Sequence, residues 1–179
     1  MTRAELQTPR VDELEVPVDR DRFLRSLIGE LSGALQDIVG LDEASGFVSL
    51  VGQRIGRQIN RDYVHALGVP RLTREQVADV LVDFKNRIGG DFTVVSQDDE
   101  KIVLQNRACP FGNQVEGRPA MCMMTSNAFG SLAADNLGYA RVELEETIAA
   151  GHAGCRVVVH LKPKDGAGGR QYLRGPDDS

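Results

Sequence analysis

The chain has 179 residues, with 21 basic and 26 acidic side chains, 41% hydrophobic residues and 5% aromatic residues. This length suits one domain, or two very small ones, with a buried core. A net charge of −5 and the lack of tryptophan argue against a nucleic-acid-binding protein and against a stacking platform for bases or sugars. Three cysteines are a poor disulfide framework, and neither an apolar leader nor a stretch of ~20 apolar residues is found. We therefore expect a cytoplasmic protein with reduced thiols and no membrane or direct nucleic-acid partner.

The first half of the chain predicts three helices, over about residues 19–39, 42–67 and 73–88. Large apolar residues recur on each at helical spacing and are expected to face the core. They are Phe23, Leu27, Leu31, Leu35 and Ile38 on the first helix, Phe47, Val48, Val51, Ile55, Ile59 and Tyr63 on the second, and Val77, Val80, Leu81, Phe84 and Ile88 on the third. Glycines one turn apart, Gly29 with Gly33 and Gly52 with Gly56, predict that another helix approaches closely.

The second half predicts strands at 92–95 and 101–104, a helix at 120–137, and strands at 139–145 and 155–161. The fold class is therefore α+β, with N-terminal helices packed on an antiparallel sheet of two β-hairpins separated by one helix. We expect residues 1–17 to be a flexible lead, 18–163 a single domain, and 164–179 a disordered tail.

Each of the three cysteines lies at the edge of a predicted element. Cys109 follows the first hairpin, Cys122 is in the first turn of the fourth helix, and Cys155 opens the last strand. If these edges converge, three thiolates would need a metal or a cluster to neutralise them, and the helix N-terminus would lower the pKa of Cys122. His152 is the nearest candidate for a fourth ligand, with a carboxylate or water as alternatives. The alternative for all three cysteines is apolar packing.

Other patterns predict less chemistry. An apolar pocket lined by Phe111, Met123, Met124 and Phe129 would suit a small organic ligand, although methionines more often fill a core. An arginine stripe on the second helix, formed by Arg54, Arg57 and Arg61, indicates either a solvated face or a contact with an anion or partner protein. No phosphate-binding glycine motif and no nucleophile–base pattern is found, so we do not expect an enzyme.

A run of motifs in the second half resembles the methanogen output domain, a sensory and regulatory module of archaeal signalling proteins. The motifs are C-P-F-G at Cys109, Cys122 followed by Met-Met-Thr, Phe129-Gly130, Gly138-Tyr139 and I-A-x-G-x-x-x-C ending at Cys155. The resemblance covers about residues 22–163. It extends to 4-vinyl-reductase-type ligand domains and to the sensor half of the repressor of iron–sulfur assembly operons, whose cysteines ligate a cluster.

The resemblance implies that Cys109, Cys122 and Cys155 are ligands of an iron–sulfur cluster, with zinc as the alternative. A fourth cysteine is missing, and His152 stands in the turn where an acidic residue is expected. The leading hypothesis is thus a non-enzymatic sensor that relays redox or ligand state to a signalling partner, and that forms a homodimer through its N-terminal helices. The alternatives are a small-organic-ligand domain and a protein-interaction domain with structural cysteines.

Overall fold

A computed structural model describes residues 10, 14–163 and 168–175 of the chain. The three N-terminal helices are α1 (Arg20–Val39), α2 (Leu41–Leu67) and α3 (Arg74–Arg87). The carboxylate of Asp19 caps α1 by accepting the Arg22 N–H, and Thr73 with Gln76 forms the predicted capping box of α3. A fourth helix, α4 (Cys122–Leu137), follows a 3-10 turn at Pro119–Met121.

Five strands form one antiparallel sheet in the order β1-β2-β4-β3-β5. They are β1 (Phe92–Gln97), β2 (Lys101–Asn106), β3 (Tyr139–Glu146), β4 (Cys155–His160) and β5 (Arg170–Leu173). The predicted α+β class is confirmed, and both predicted strand pairs, β1 with β2 and β3 with β4, are present. The predicted arrangement is incomplete because β2 also pairs with β4, and β3 with a fifth strand.

Strand β5 lies within the stretch predicted to be a disordered tail, and that prediction is wrong for its residues. Tyr172 is buried, its ring lies directly on Gly130 of α4, and its hydroxyl is 2.8 Å from Ser126 Oγ. A side chain at position 130 would collide with that ring. A glycine there therefore allows β5 to pack against α4. Most of the predicted flexible lead, and residues 164–167 and 176–179 of the tail, lie outside the described residues.

The faces of α1 and α2 that contact the rest of the protein carry small residues and not the large apolar ones. Gly52 and Gly56 of α2 face α4, where a Cβ built at Gly56 would lie 2.8 Å from Ala128 Cα. The predicted close approach of a helix to these two glycines is confirmed. Gly29 and Gly33 face the side chains of Gln114 and Arg118 instead of another helix.

The predicted core faces of α1 and α2 are wrong for most of their residues. Large side chains on both helices remain 43–81% exposed: Phe23, Leu27, Leu31, Ile38, Phe47, Val51 and Ile55. The close contact between α2 and α4 at the glycines leaves no room for bulky side chains on the inner face of α2. The large apolar residues that recur at helical spacing therefore lie on the outer surface. None of the described helices is both long and apolar enough to span a membrane.

Candidate functional site

The three cysteines converge on one small cavity between the sheet and the N-terminal end of α4. Its volume is about 30 Å³, and Cys109, Cys122 and Cys155 all line it, together with Phe111 and Met121. Each cysteine is half-buried and none forms a disulfide. Three separate segments therefore bring their thiols to the same place, which their positions at element edges allowed.

Asn106, at the end of β2, fixes two of these cysteines. Its side-chain amide donates to the carbonyl oxygens of Gly90 at 3.0 Å and Ala108 at 2.6 Å, and its side-chain oxygen accepts the Cys155 N–H at 2.9 Å. One buried side chain thus connects the start of β4 to the residue before Cys109. A buried amide with all these bonds satisfied is costly to replace.

The third cysteine, Cys122, is the first residue of α4. Burial, together with the neighbouring Cys155 and Cys109, raises the pKa of its thiol to about 12, although a hydrogen bond with Thr147 and the charge of Lys85 act in the opposite direction. The expectation that the helix N-terminus lowers this pKa is wrong, because desolvation dominates over the helix dipole. Burial also raises the pKa values of Cys109 and Cys155.

A buried lysine lies beside the thiols. Lys85 of α3 is only 2% exposed, and its Nζ is 2.7 Å from Thr125 Oγ1, which also lines the cavity. The ammonium lies 5.3, 5.8 and 5.6 Å from the ring centres of Phe84, Phe92 and Phe129. Three aromatic faces and one hydroxyl stabilise this charge without any carboxylate among these contacts.

The charge of Lys85 interacts with the three cysteines. Burial lowers its pKa to about 8, while Cys109, Cys155 and Cys122 each act to raise it. The lysine is therefore mostly charged at neutral pH, and the interactions that raise its pKa all come from the three cysteines. Deprotonated thiols in this cavity would have a buried ammonium nearby.

The remaining predicted site residues are distributed over different environments. His152 is exposed in the turn before β4, its Nδ1 lies 3.1 Å from the Thr147 carbonyl oxygen, and it does not line the cavity. Met123 and Met124 do not line it either, and the Met124 backbone packs against Gly52 of α2. Phe129 is fully buried in the main core. The predicted apolar ligand pocket is thus reduced to Phe111, with Met121 in place of the two later methionines.

The thiols converge without reaching a coordinating arrangement. Across residues 10, 14–163 and 168–175, no group of three or more His, Cys, Asp or Glu side chains is placed to hold a metal ion. A thiol-bound ion would therefore require these side chains to move inwards.

Sequence analysis missed Lys85 and Asn106. The signal for Lys85 was its spacing of four and eight residues after Leu81 and Val77, which places it on the buried face of α3. Ile88, predicted on that face, is 50% exposed. Asn106 carried no local signal, because its role depends on strand pairing with the distant Cys155.

The fold is similar to that of a solved structure, trafficking protein particle complex subunit 3 from Naegleria fowleri covalently bound to palmitic acid. The TM-score is 0.59 at 16% sequence identity, and the match covers 87% of this chain and 98% of that chain. At this identity the likeness concerns the fold alone. No curated protein sequence matches the chain.

A family model described as methanogen output domain 1 matches residues 27–160, which include all three cysteines, Lys85 and Asn106. This match spans the greater part of the chain. The chain therefore belongs to the methanogen output domain 1 family.

Proposed function

We propose that the protein is a non-enzymatic regulatory output domain whose three cysteines bind one thiophilic metal ion, with zinc as the best match. The observation that carries this proposal is the convergence of three thiols on a single cavity, with the buried ammonium of Lys85 hydrogen-bonded to Thr125, which also lines that cavity. Soft thiolates select zinc and iron over hard cations. The family supports the regulatory role.

The volume of the cavity favours a small occupant. About 30 Å³ holds two or three water molecules or one ion, since one water needs roughly 10–15 Å³ on this measure. An iron–sulfur cluster needs more space, and organic ligands usually occupy roughly 300–1,000 Å³. A long acyl chain, such as the palmitic acid of the Naegleria fowleri protein, does not fit. Of the ligands that thiolates bind, a single ion is the one that this volume favours.

Charge supports the same occupant. A divalent ion held by three thiolates carries one net negative charge, which the Lys85 ammonium would balance. In the described part of the chain, the closest contacts of the ammonium are the hydroxyl of Thr125 and three aromatic rings, none of which carries a charge. A buried charge is stabilised best by an opposite charge in the same low-dielectric environment.

The segment after Cys109 connects the cavity to α1. Phe111 lines the cavity, and Gln114 lies against Gly29. Arg118 packs beside Gly33 and its Nη2 is 3.4 Å from Glu30 Oε1. An inward movement of Cys109 towards an ion would therefore shift the segment on which α1 rests.

The outer face of α1 and α2 is the proposed output surface, and its proposed occupant is a second copy of this chain. Eight large apolar side chains on it are 42–62% exposed: Phe23, Leu24, Leu27, Ile28, Leu31, Phe47, Val51 and Ile55. At roughly 80 Å² each they offer roughly 650 Å², close to the ~800 Å² per partner of a standard interface. The inner glycines are already used within the chain, so a dimer would form through the apolar stripes and not through the glycines.

Metal analysis after anaerobic purification tests the proposed site. We expect one zinc per chain, and less than one tenth of that amount in Cys109→Ser, Cys122→Ser and Cys155→Ser. His152→Ala is the control and should retain the metal. If iron and sulfide are found instead of zinc, the site holds an iron–sulfur cluster and not a single ion. A metal-free protein, or metal retained in all three cysteine variants, would contradict the proposal.

Light scattering coupled to size-exclusion chromatography tests the proposed dimer. The expected mass is twice 19.5 kDa, and Leu27→Glu with Leu31→Glu should give the monomer. A monomeric wild-type protein at 100 µM would contradict a homodimer while leaving the metal site unaffected.

A further inference from the structure

A second, larger cleft lies between α2, α4 and β5. It consists of two cavities of about 310 and 260 Å³ that share Arg57 and Asp135. No described residue lines both this cleft and the thiol cavity. Each of the two volumes is close to the lower limit for sites that bind small organic ligands.

The charge of the cleft is opposite to that of the chain. Its lining includes five arginines: Arg57, Arg61, Arg71, Arg170 and Arg174. Among the described residues that line it, Asp135 is the only carboxylate. In a chain of net charge −5, this local excess of guanidinium groups is a strongly cationic site.

Neutral partners hold two of these arginines in place. Arg170 Nη1 donates to Ser49 Oγ at 2.7 Å. Arg174 donates from Nε and Nη2 to the carbonyl oxygens of Asp135 and Asn136 at the end of α4, at 2.9 and 3.0 Å. These bonds orient the guanidinium groups without adding a negative charge, and the Asp135 carboxyl interacts with Arg57, Arg61 and Arg174 together. Burial, which raises the pKa of the Asp135 carboxyl despite the nearby Arg57, weakens the one internal competitor.

A buried hydroxyl lies at the same site. Ser131 lines the larger cavity, is only 4% exposed, and its Oγ has no hydrogen-bond partner among the residues that the structure describes. A buried polar atom without a partner is costly. An acceptor oxygen of a ligand in the cleft would satisfy it.

We propose that this cleft binds a small organic oligophosphate, a compound with two or three linked phosphates on an organic group. The cleft presents several forked guanidinium groups and only one carboxylate of its own. It therefore suits a ligand with more than two negative charges better than a ligand with a single carboxylate. Arg57, Arg61, Arg71 and Arg170 bind the phosphates and Ser131 donates to one of them. The larger cavity also has apolar walls, Leu50 and Leu173, which contact the organic group.

Calorimetric titration with ADP and with pyrophosphate, in 0.15 M salt, tests this proposal. We expect saturable binding of ADP at one site per chain. Because charge-assisted hydrogen bonds are stronger than neutral ones, Arg57→Gln and Arg170→Gln should each weaken ADP binding by about tenfold or more. Ser131→Ala, which changes no charge, should weaken it several-fold.

Arg54→Gln is the matched control, because Arg54 lies one turn before Arg57 on α2 and lines neither cavity. It should leave binding unchanged, and circular dichroism should show all variants to be folded. Weaker binding of pyrophosphate than of ADP would support contacts to the organic group, and equal binding would support recognition of the phosphates alone. No saturable binding of either compound at 1 mM, or an equal loss in Arg54→Gln, would overturn the proposal.

Discussion

Replacing Lys85 by methionine should change folding stability and metal affinity in opposite directions. Burial lowers the pKa of this ammonium from 10.5 to about 8, although the three thiols act to raise it. Because one pKa unit corresponds to about 1.4 kcal/mol, this buried charge destabilises the metal-free fold by about 3 kcal/mol at pH 7. Methionine fills a similar volume, but the lost hydrogen bond to Thr125 costs about 1 kcal/mol. We expect Lys85→Met to stabilise the metal-free protein by about 2 kcal/mol.

The pH dependence of this gain identifies its cause. Between pH 8 and 10.5 the unfolded state binds more protons at Lys85 than the folded state, so the free energy of unfolding of the wild-type protein rises with pH. The advantage of Lys85→Met should therefore be greatest below pH 8 and vanish by about pH 10.5. The cysteines titrate in both proteins, so the difference between the two curves reports on the lysine.

Urea denaturation of the metal-free proteins and a zinc competition titration measure the two effects. Zinc affinity should fall by about tenfold or more in Lys85→Met, because the anionic thiolate complex loses its countercharge. Lys101→Met, which removes an exposed lysine from β2, should change neither property. A Lys85→Met protein that is less stable than the wild type, and that binds zinc equally well, would refute the reasoning.

Two further predictions concern the helix contact and the thiols. Gly56→Ala should destabilise the fold by about 1–2 kcal/mol in urea denaturation, since the new Cβ would lie 2.8 Å from Ala128 Cα. Gly46→Ala, on the same helix with nothing within 4 Å of the new Cβ, should instead stabilise it by about 1 kcal/mol; equal effects at the two positions would contradict the proposed packing. Zinc affinity should rise by up to roughly 1,000-fold from pH 6 to pH 7 in a competition titration, because binding must displace a proton from each of three thiols. Burial raises the pKa values of all three thiols, and the pKa of Cys122 is about 12. An affinity independent of pH would mean that the thiols are not the ligands.

Local signals predicted the elements well. Capping and glycine signals gave the ends of the helices, as the capping box at Thr73 and the stop at Gly40 illustrate. They also indicated the close approach at Gly52 and Gly56, because close helix packing selects small residues. The position of each cysteine at an element edge allowed the three to converge but did not show that they do.

Features that depend on tertiary contacts were not predictable from the sequence. Helical periodicity gives the apolar stripe of α1 but not whether that stripe faces the core or a partner, and here it faces outwards. Strand β5 is short and lies in a glycine-rich stretch, so its place depends on the fit of Tyr172 over Gly130. Spacing places Lys85 on the buried face of α3, but the three aromatic rings that stabilise its charge there come together only in the folded protein.

X-ray absorption at the zinc edge of the anaerobically purified, zinc-loaded protein is the most direct test of the proposed function. It counts the sulfur atoms around the metal without relying on variants that could unfold. The proposal predicts three sulfur ligands at about 2.3 Å, from Cys109, Cys122 and Cys155, and one lighter ligand. A shell of nitrogen and oxygen atoms alone would contradict it.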